Sequence, residues 1–177
     1  MTTNVTKYVT KVVSELKDLV DYWIPSQVAT VTGGGYLSGL FSPGFFLDGN
    51  RARAVLHNLI EAHVQAYDMI SAIDDVDADS DGITKEIGFA HGMMAVHPAK
   101  PNKILGLPLN NNKEAAKNFS YFINDYFLNA VINGEEDINF LNTLEIMNKN
   151  SKNLLILDNW RDKTDFIGIN YYRHVYV

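Results

Sequence analysis

A chain of 177 residues, 46% apolar and 20% charged, is long enough for one packed domain and too short for two of ordinary size. Fifteen Lys plus Arg against twenty-one Asp plus Glu give a formal charge of −6, which argues against phosphate backbones and anionic lipid, so neither nucleic acid nor membrane is an expected partner. The absence of cysteine excludes disulfides and thiolate chemistry, and with no continuous apolar run near Met1 the expected location is the cytoplasm.

Val5, Tyr8, Val9, Val12, Leu16, Leu19 and Val20 recur at steps of three and four, which predicts an amphipathic helix over the first twenty residues. Tyr22 to Val31 is a β-branched run broken by Pro25; a residue without an N–H suits a strand start or an edge, so a strand with an irregular end is expected. Gly33, Gly34, Gly35, Gly39, Pro43 and Gly44 make a long loop that matches neither dinucleotide nor P-loop spacing, and no G-x-S-x-G elbow surrounds Ser38. A second helix capped by Asn50 carries Leu56, Leu59, Ile60, His63, Tyr67 and Ile70 on one stripe. His57 and His63 are six residues apart and do not form an i, i+4 metal pair, so His63 is expected to pack with a backbone partner.

The acidic stretch from Asp74 to Gly82 leads into a second strand, Glu86 to Met93, and Pro98, Pro101 and Pro108 punctuate the segment after that strand. A third helix, capped by Asn112 and stopped by Gly134, buries Ala116, Phe119, Ile123, Tyr126, Phe127 and Ala130. Beyond a polar region at Lys149 to Asn153, residues Asp165 to Tyr172 alternate as a strand. Helices alternating with strands predict parallel βα units, and with no repeat or linker the whole of 1–177 reads as one α/β domain.

Two stretches carry candidate chemistry. In the last strand Gly168, Asn170 and Tyr172 face one way and Ile167, Ile169 and Tyr171 the other; in a β/α barrel the polar end of such a strand lies at the C-terminal rim, where functional groups gather. Asp77-Ala-Asp-Ser-Asp81-Gly82 sets carboxylates at alternate positions before a glycine. That is how a calcium loop begins, with Asp77, Asp79, Asp81 and the Ile83 carbonyl as ligands. Gly88 stands where a bidentate Glu would complete the loop, and a solvated acidic turn is the competing reading. No cofactor is otherwise required.

Asp165-Phe-Ile-Gly-Ile-Asn-Tyr-Tyr172 resembles the sixth-strand motif of the retaining β-glucosidases, the first family of glycoside hydrolases. Leu19-Val-Asp-Tyr-Trp23 resembles the entry to their fourth barrel strand, and Gly35-Tyr-Leu-Ser-Gly39 with Pro43-Gly44 the loop after it. Asn58-Leu-Ile-Glu-Ala-His63 with Ala66-Tyr67 resembles their fourth helix, and Ile87-Gly-Phe-Ala-His-Gly-Met-Met94 their fifth strand. The resemblance implies a partial (βα)8 TIM-type barrel of three to four parallel strands, strands four to six of the family, with flanking helices.

Such enzymes work with two carboxylates about 5 Å apart. The resemblance puts Gln27 at the acid/base position and Ser26 at that of the neighbouring Asn; an amide cannot donate a proton to a leaving group at neutral pH. Asn170 is the retained sugar-site residue, and Tyr172 the phenol that would hydrogen-bond the nucleophile. The Thr-Glu-Asn-Gly motif of the nucleophile strand does not occur in these residues.

The expected function is therefore a β-glucosidase-like polypeptide without hydrolytic capacity. The alternatives are a structural or assembly module with residual carbohydrate binding, and one piece of a split glycosidase completed by another chain. A three-strand parallel sheet with open edges also predicts association, with itself as a homo-oligomer or with a complementary barrel-segment chain.

Overall fold

The computed structural model describes residues 2–27, 32–46, 48–100, 103–104, 107–108, 112–138, 140 and 154–177. Helix α1 (Thr2–Leu16) buries Val13, with Val9 and Val12 packed beside it. It ends four residues earlier than the apolar spacing predicts; Leu19, 77% exposed, lies in the turn beyond it. Strand β1 is only Tyr22–Trp23, because Pro25 cannot continue the ladder; pairing returns once, as a parallel bridge between Gln27 and Ala90. Residues 28–31 of the expected strand lie outside the described residues.

A π-turn at Gly33–Leu37 opens the glycine-rich loop, and α2 (Gly49–Ile73) follows. Its cap is Asp48, whose carboxylate accepts the Arg51 N–H at 3.1 Å. The expected cap, Asn50, already lies inside the first helical turn, and a cap residue has to stand outside it. Strand β2 (Glu86–His97) runs four residues past the expected end. A two-residue ribbon, β3 (Lys103–Ile104) with β4 (Leu107–Pro108), precedes α3 (Asn112–Ser120), whose helical path continues through two π-turns to Asn133. Gly134 stops it at φ +70°, as its expected role requires. Strands β5 (Glu135–Asp137) and β6 (Leu154–Ile156) pair antiparallel, and β7 (Phe166–Tyr176) ends the chain, extending past Tyr172.

The main sheet has the order β1-β2-β7 and every pairing in it is parallel, which matches the three to four parallel strands expected. Its outer face carries the core. Phe89 of β2 is fully buried among Leu56, Ile60 and Val64 of α2 and Phe122 to Val131 of the α3 run, and its ring meets Phe127 at 4.8 Å. A second cluster joins Val13, Trp23, Ile70 and Ile87. Full burial of one such side chain contributes roughly 1.5–3 kcal/mol, so these two clusters fix the helices on the sheet. The start of β7 is pinned separately: Asp165 accepts the Ile87 N–H at 2.8 Å and the Tyr67 hydroxyl at 2.9 Å. Among the described residues no helix is long and apolar enough to cross a membrane.

Candidate functional site

Alternation along β2 sends Ile87, Phe89 and His91 into the helix layer, leaving Gly88, Ala90 and Gly92 on the opposite, inner face. The register sets Gly88 beside Phe166, Ala90 beside Gly168 and Gly92 beside Asn170, and Gln27 joins the Ala90 row from the other side. At the N-terminal end of this face the Phe166 ring lies over Gly88 and meets Tyr22 edge-on at 5.8 Å. A Cβ on Gly88 would sit 2.3 Å from the Phe166 carbonyl oxygen, so only glycine admits that arrangement.

Above this aromatic floor the middle strand offers nothing larger than a methyl group. The result is a shelf flanked by two amides, the exposed Gln27 and the half-buried Asn170. Amides donate and accept hydrogen bonds without transferring protons, which suits recognition of hydroxyl groups and not acid/base work. Tyr172 follows Asn170 in β7; its side chain lies outside the described residues. Glu86 is the only carboxylate on the three strands of the sheet, and it precedes Ala90 by four residues, about 13 Å at the rise of a strand.

Ser26 does not join the shelf. Its hydroxyl lies 3.0 Å from His63 Nδ1, and His63 Nε2 lies 2.8 Å from the Lys163 carbonyl. A carbonyl only accepts, so Nε2 carries the proton and Nδ1 accepts from Ser26. Burial holds the His63 imidazole at a pKa of about 4, against the pull of the Lys163 hydrogen bond, so the ring is neutral near pH 7. The backbone partner expected for His63 is thus Lys163.

The acidic loop sits at the opposite, N-terminal end of the strands. Asp77 and Asp79 come together with the buried Asp21, their nearest oxygens within 4.8 Å of one another, while Asp81 stands outside this group. Asp21 accepts the N–H groups of Ala78 and Asp79 at 2.9 and 2.8 Å, and Asp77 those of Asp81 and Gly82 at 3.1 and 2.9 Å. Asp81 accepts the Ile83 N–H at 2.8 Å. Partial desolvation and the neighbouring carboxylates hold Asp79 above the usual carboxylate range. Backbone N–H groups therefore give each of these carboxylates a partner within the chain, and Asp21, Asp77 and Asp79 are the three whose oxygens lie close enough together to share a cation.

Two features escape the sequence reading. Asp21 lies more than fifty residues from the acidic loop it serves and carries no local signal, whereas the Gly88, Ala90, Gly92 alternation is legible at period two. At the C-terminal end of the strands, His97 Nε2 and His174 Nδ1 meet at 2.9 Å and tie β2 to β7.

The family model described as glycosyl hydrolase family 1 matches residues 1–177. A 6-phospho-β-galactosidase of Clostridium acetobutylicum is 31% identical over 166 residues, covering 89% of this chain and 32% of that protein. A Staphylococcus aureus protein of the same name is 26% identical, over 86% of this chain and 32% of its own length. Among solved structures, the rice β-glucosidase Os3BGlu6 superposes with a TM-score of 0.69 at 21% identity, covering 99% of this chain and 36% of its own. A family 1 β-glucosidase from Thermotoga maritima gives a TM-score of 0.69 at 23% identity, over 97% and 35%. The chain spans about a third of the length of the curated relatives it matches.

Proposed function

The chain belongs to glycosyl hydrolase family 1, and from that membership we propose that these 177 residues form a sugar-facing segment of a β-glycosidase barrel that does not itself cleave the glycosidic bond. One observation carries the reading. The shelf at the C-terminal half of the sheet is bordered by Gln27 and Asn170, and the sheet's lone carboxylate, Glu86, lies at its far end. Retaining hydrolysis needs a proton donor and a nucleophilic carboxylate about 5 Å apart, and Gln27 is neither. What remains is hydrogen bonding: two amides above small residues, with an aromatic floor, can hold a hydroxylated ring. Ser26 supports the shelf from behind through His63.

The experiment is hydrolysis of activated aryl glycosides, whose leaving groups need no protonation. Both an aryl β-glucoside and an aryl 6-phospho-β-galactoside are used, the second because of the relatives' names. The expected outcome is no turnover above background with either, since loss of the principal groups removes several orders of magnitude of rate. Steady turnover that disappears in Tyr172→Phe would overturn the reading. A second reading, a split glycosidase completed by another chain, is favoured by the open edges of β1 and β7, and it predicts turnover only once a chain bearing the missing strands is added.

A further inference from the structure

His57, on α2, stands between strand β5 and the single helical turn Asp158–Trp160. Its Nδ1 lies 2.8 Å from Oε1 of Glu136, a carboxylate only 2% exposed, and the Trp160 ring centre is 5.3 Å from that of the imidazole. The same Oε1 accepts from the Tyr126 hydroxyl at 3.4 Å, so it is an acceptor and the proton of the short contact sits on Nδ1. The ring is thereby fixed, and the lone pair is left on Nε2. One turn further along α2, Glu61 brings Oε1 to 3.7 Å from that Nε2, and both side chains are 38% exposed. Two acceptors therefore face each other at the surface. A proton does not bridge them at that distance, since N–H···O bonds run at about 2.7–3.2 Å. An ion with arms of about 2.1 Å to nitrogen and oxygen sets two tetrahedral ligands about 3.4 Å apart, close to the spacing found here.

We propose that His57 Nε2 and the Glu61 carboxylate bind a divalent transition-metal ion of the zinc class, with Glu136 as the positioning residue behind His57. Imidazole as a ligand selects zinc, nickel and copper over magnesium and calcium, which take all-oxygen sets. A buried carboxylate on the far nitrogen of a ligand histidine holds its tautomer and ring plane and makes the near nitrogen more basic, and Glu136 stands in that relation to His57. With two protein ligands on an exposed face, the ion's other positions belong to water, so the site exchanges its metal readily. Neither ligand lies on the strands of the main sheet, and the proposal does not depend on whether the shelf binds sugar.

Nickel, which takes the same ligands and quenches indole fluorescence, is the probe. Trp160 is beside His57, and the chain's other tryptophan, Trp23, belongs to the separate cluster under α1. Titrating the full chain with nickel chloride near neutral pH is expected to give saturable quenching below millimolar metal. Zinc should reverse the quenching, and zinc alone should raise the melting temperature, because it binds the native state. His57→Gln and Glu61→Gln, both at partly exposed positions, should keep the circular dichroism of the parent and weaken binding about tenfold or more; Glu136→Gln should weaken it about tenfold with both ligands still in place. If His57→Gln loses helix, Glu61→Gln alone decides. His97→Gln, which removes one of the paired imidazoles at the strand ends, should change nothing. Quenching that fails to saturate by millimolar nickel would overturn the proposal. So would saturable quenching that survives Glu61→Gln unchanged, that is lost in His97→Gln, or that zinc does not reverse.

Discussion

His63 links three segments with one side chain. Its ring hangs from α2, accepts from Ser26 just after β1 and donates to Lys163 just before β7, and it packs edge-on against Phe89 and Phe127. The folded chain holds it near a pKa of about 4 while an unfolded chain titrates it at about 6.5. Above pH 6.5 both states are neutral and its contribution is fully present. As the pH falls towards 4 the unfolded state takes up the proton and the folded state does not, so stability declines, by about 3 kcal/mol across that window. Urea unfolding at pH 7 and pH 4.5 should show that loss in the wild type and a flatter profile in His63→Gln; equal slopes would remove His63 from this role. A packing role with a backbone partner was readable from its place on the helical stripe. That Ser26 would be its other partner was not, because an irregular turn at Pro25 decides which way that hydroxyl faces.

At the scale of elements, two inner-face glycines make opposite predictions. Gly88→Ala drives a methyl group into the Phe166 carbonyl and ring, and it should cost about 1–3 kcal/mol in denaturant unfolding. Gly168→Ala meets nothing nearer than the Phe89 carbonyl oxygen at 3.6 Å, and should stay within about 0.5 kcal/mol of the parent. Equal effects of the two would mean that Phe166 does not lie over β2. The acidic loop makes a third. With its carboxylates already accepting backbone N–H groups, millimolar calcium should leave the melting temperature within about 1 °C, since only a ligand that binds the native state shifts it. A rise of several degrees would seat the ion among Asp21, Asp77 and Asp79. Helix positions and the βα alternation were legible because periodicity reports burial directly. Pro25 marked an irregularity in the strand expected over Tyr22 to Val31 but not that β1 is only Tyr22–Trp23, and the lengths of β2 and β7 were not legible either, since their C-terminal halves pair with each other and residues Met94 to His97 and Arg173 to Tyr176 carry no clean alternation of their own.

For the whole molecule, the family and the barrel architecture were legible because several short motifs occur in the right order along nearly the entire chain. The exposure of Ile167 and Ile169 on the outer face of β7 was not, because long-range packing decides which strands of a sheet the helices cover, and no local pattern encodes that. The same geometry governs the chemistry. A covalent glycosyl intermediate needs a nucleophilic carboxylate, and the two polar side chains that flank the shelf, Gln27 and Asn170, are amides. The measurement that addresses this most directly is a rapid-mixing experiment with a dinitrophenyl β-glycoside in excess, followed by intact mass. No burst of phenolate is expected, and the mass should equal that of the unmodified chain. Stoichiometric phenolate release accompanied by one added glycosyl unit would contradict it.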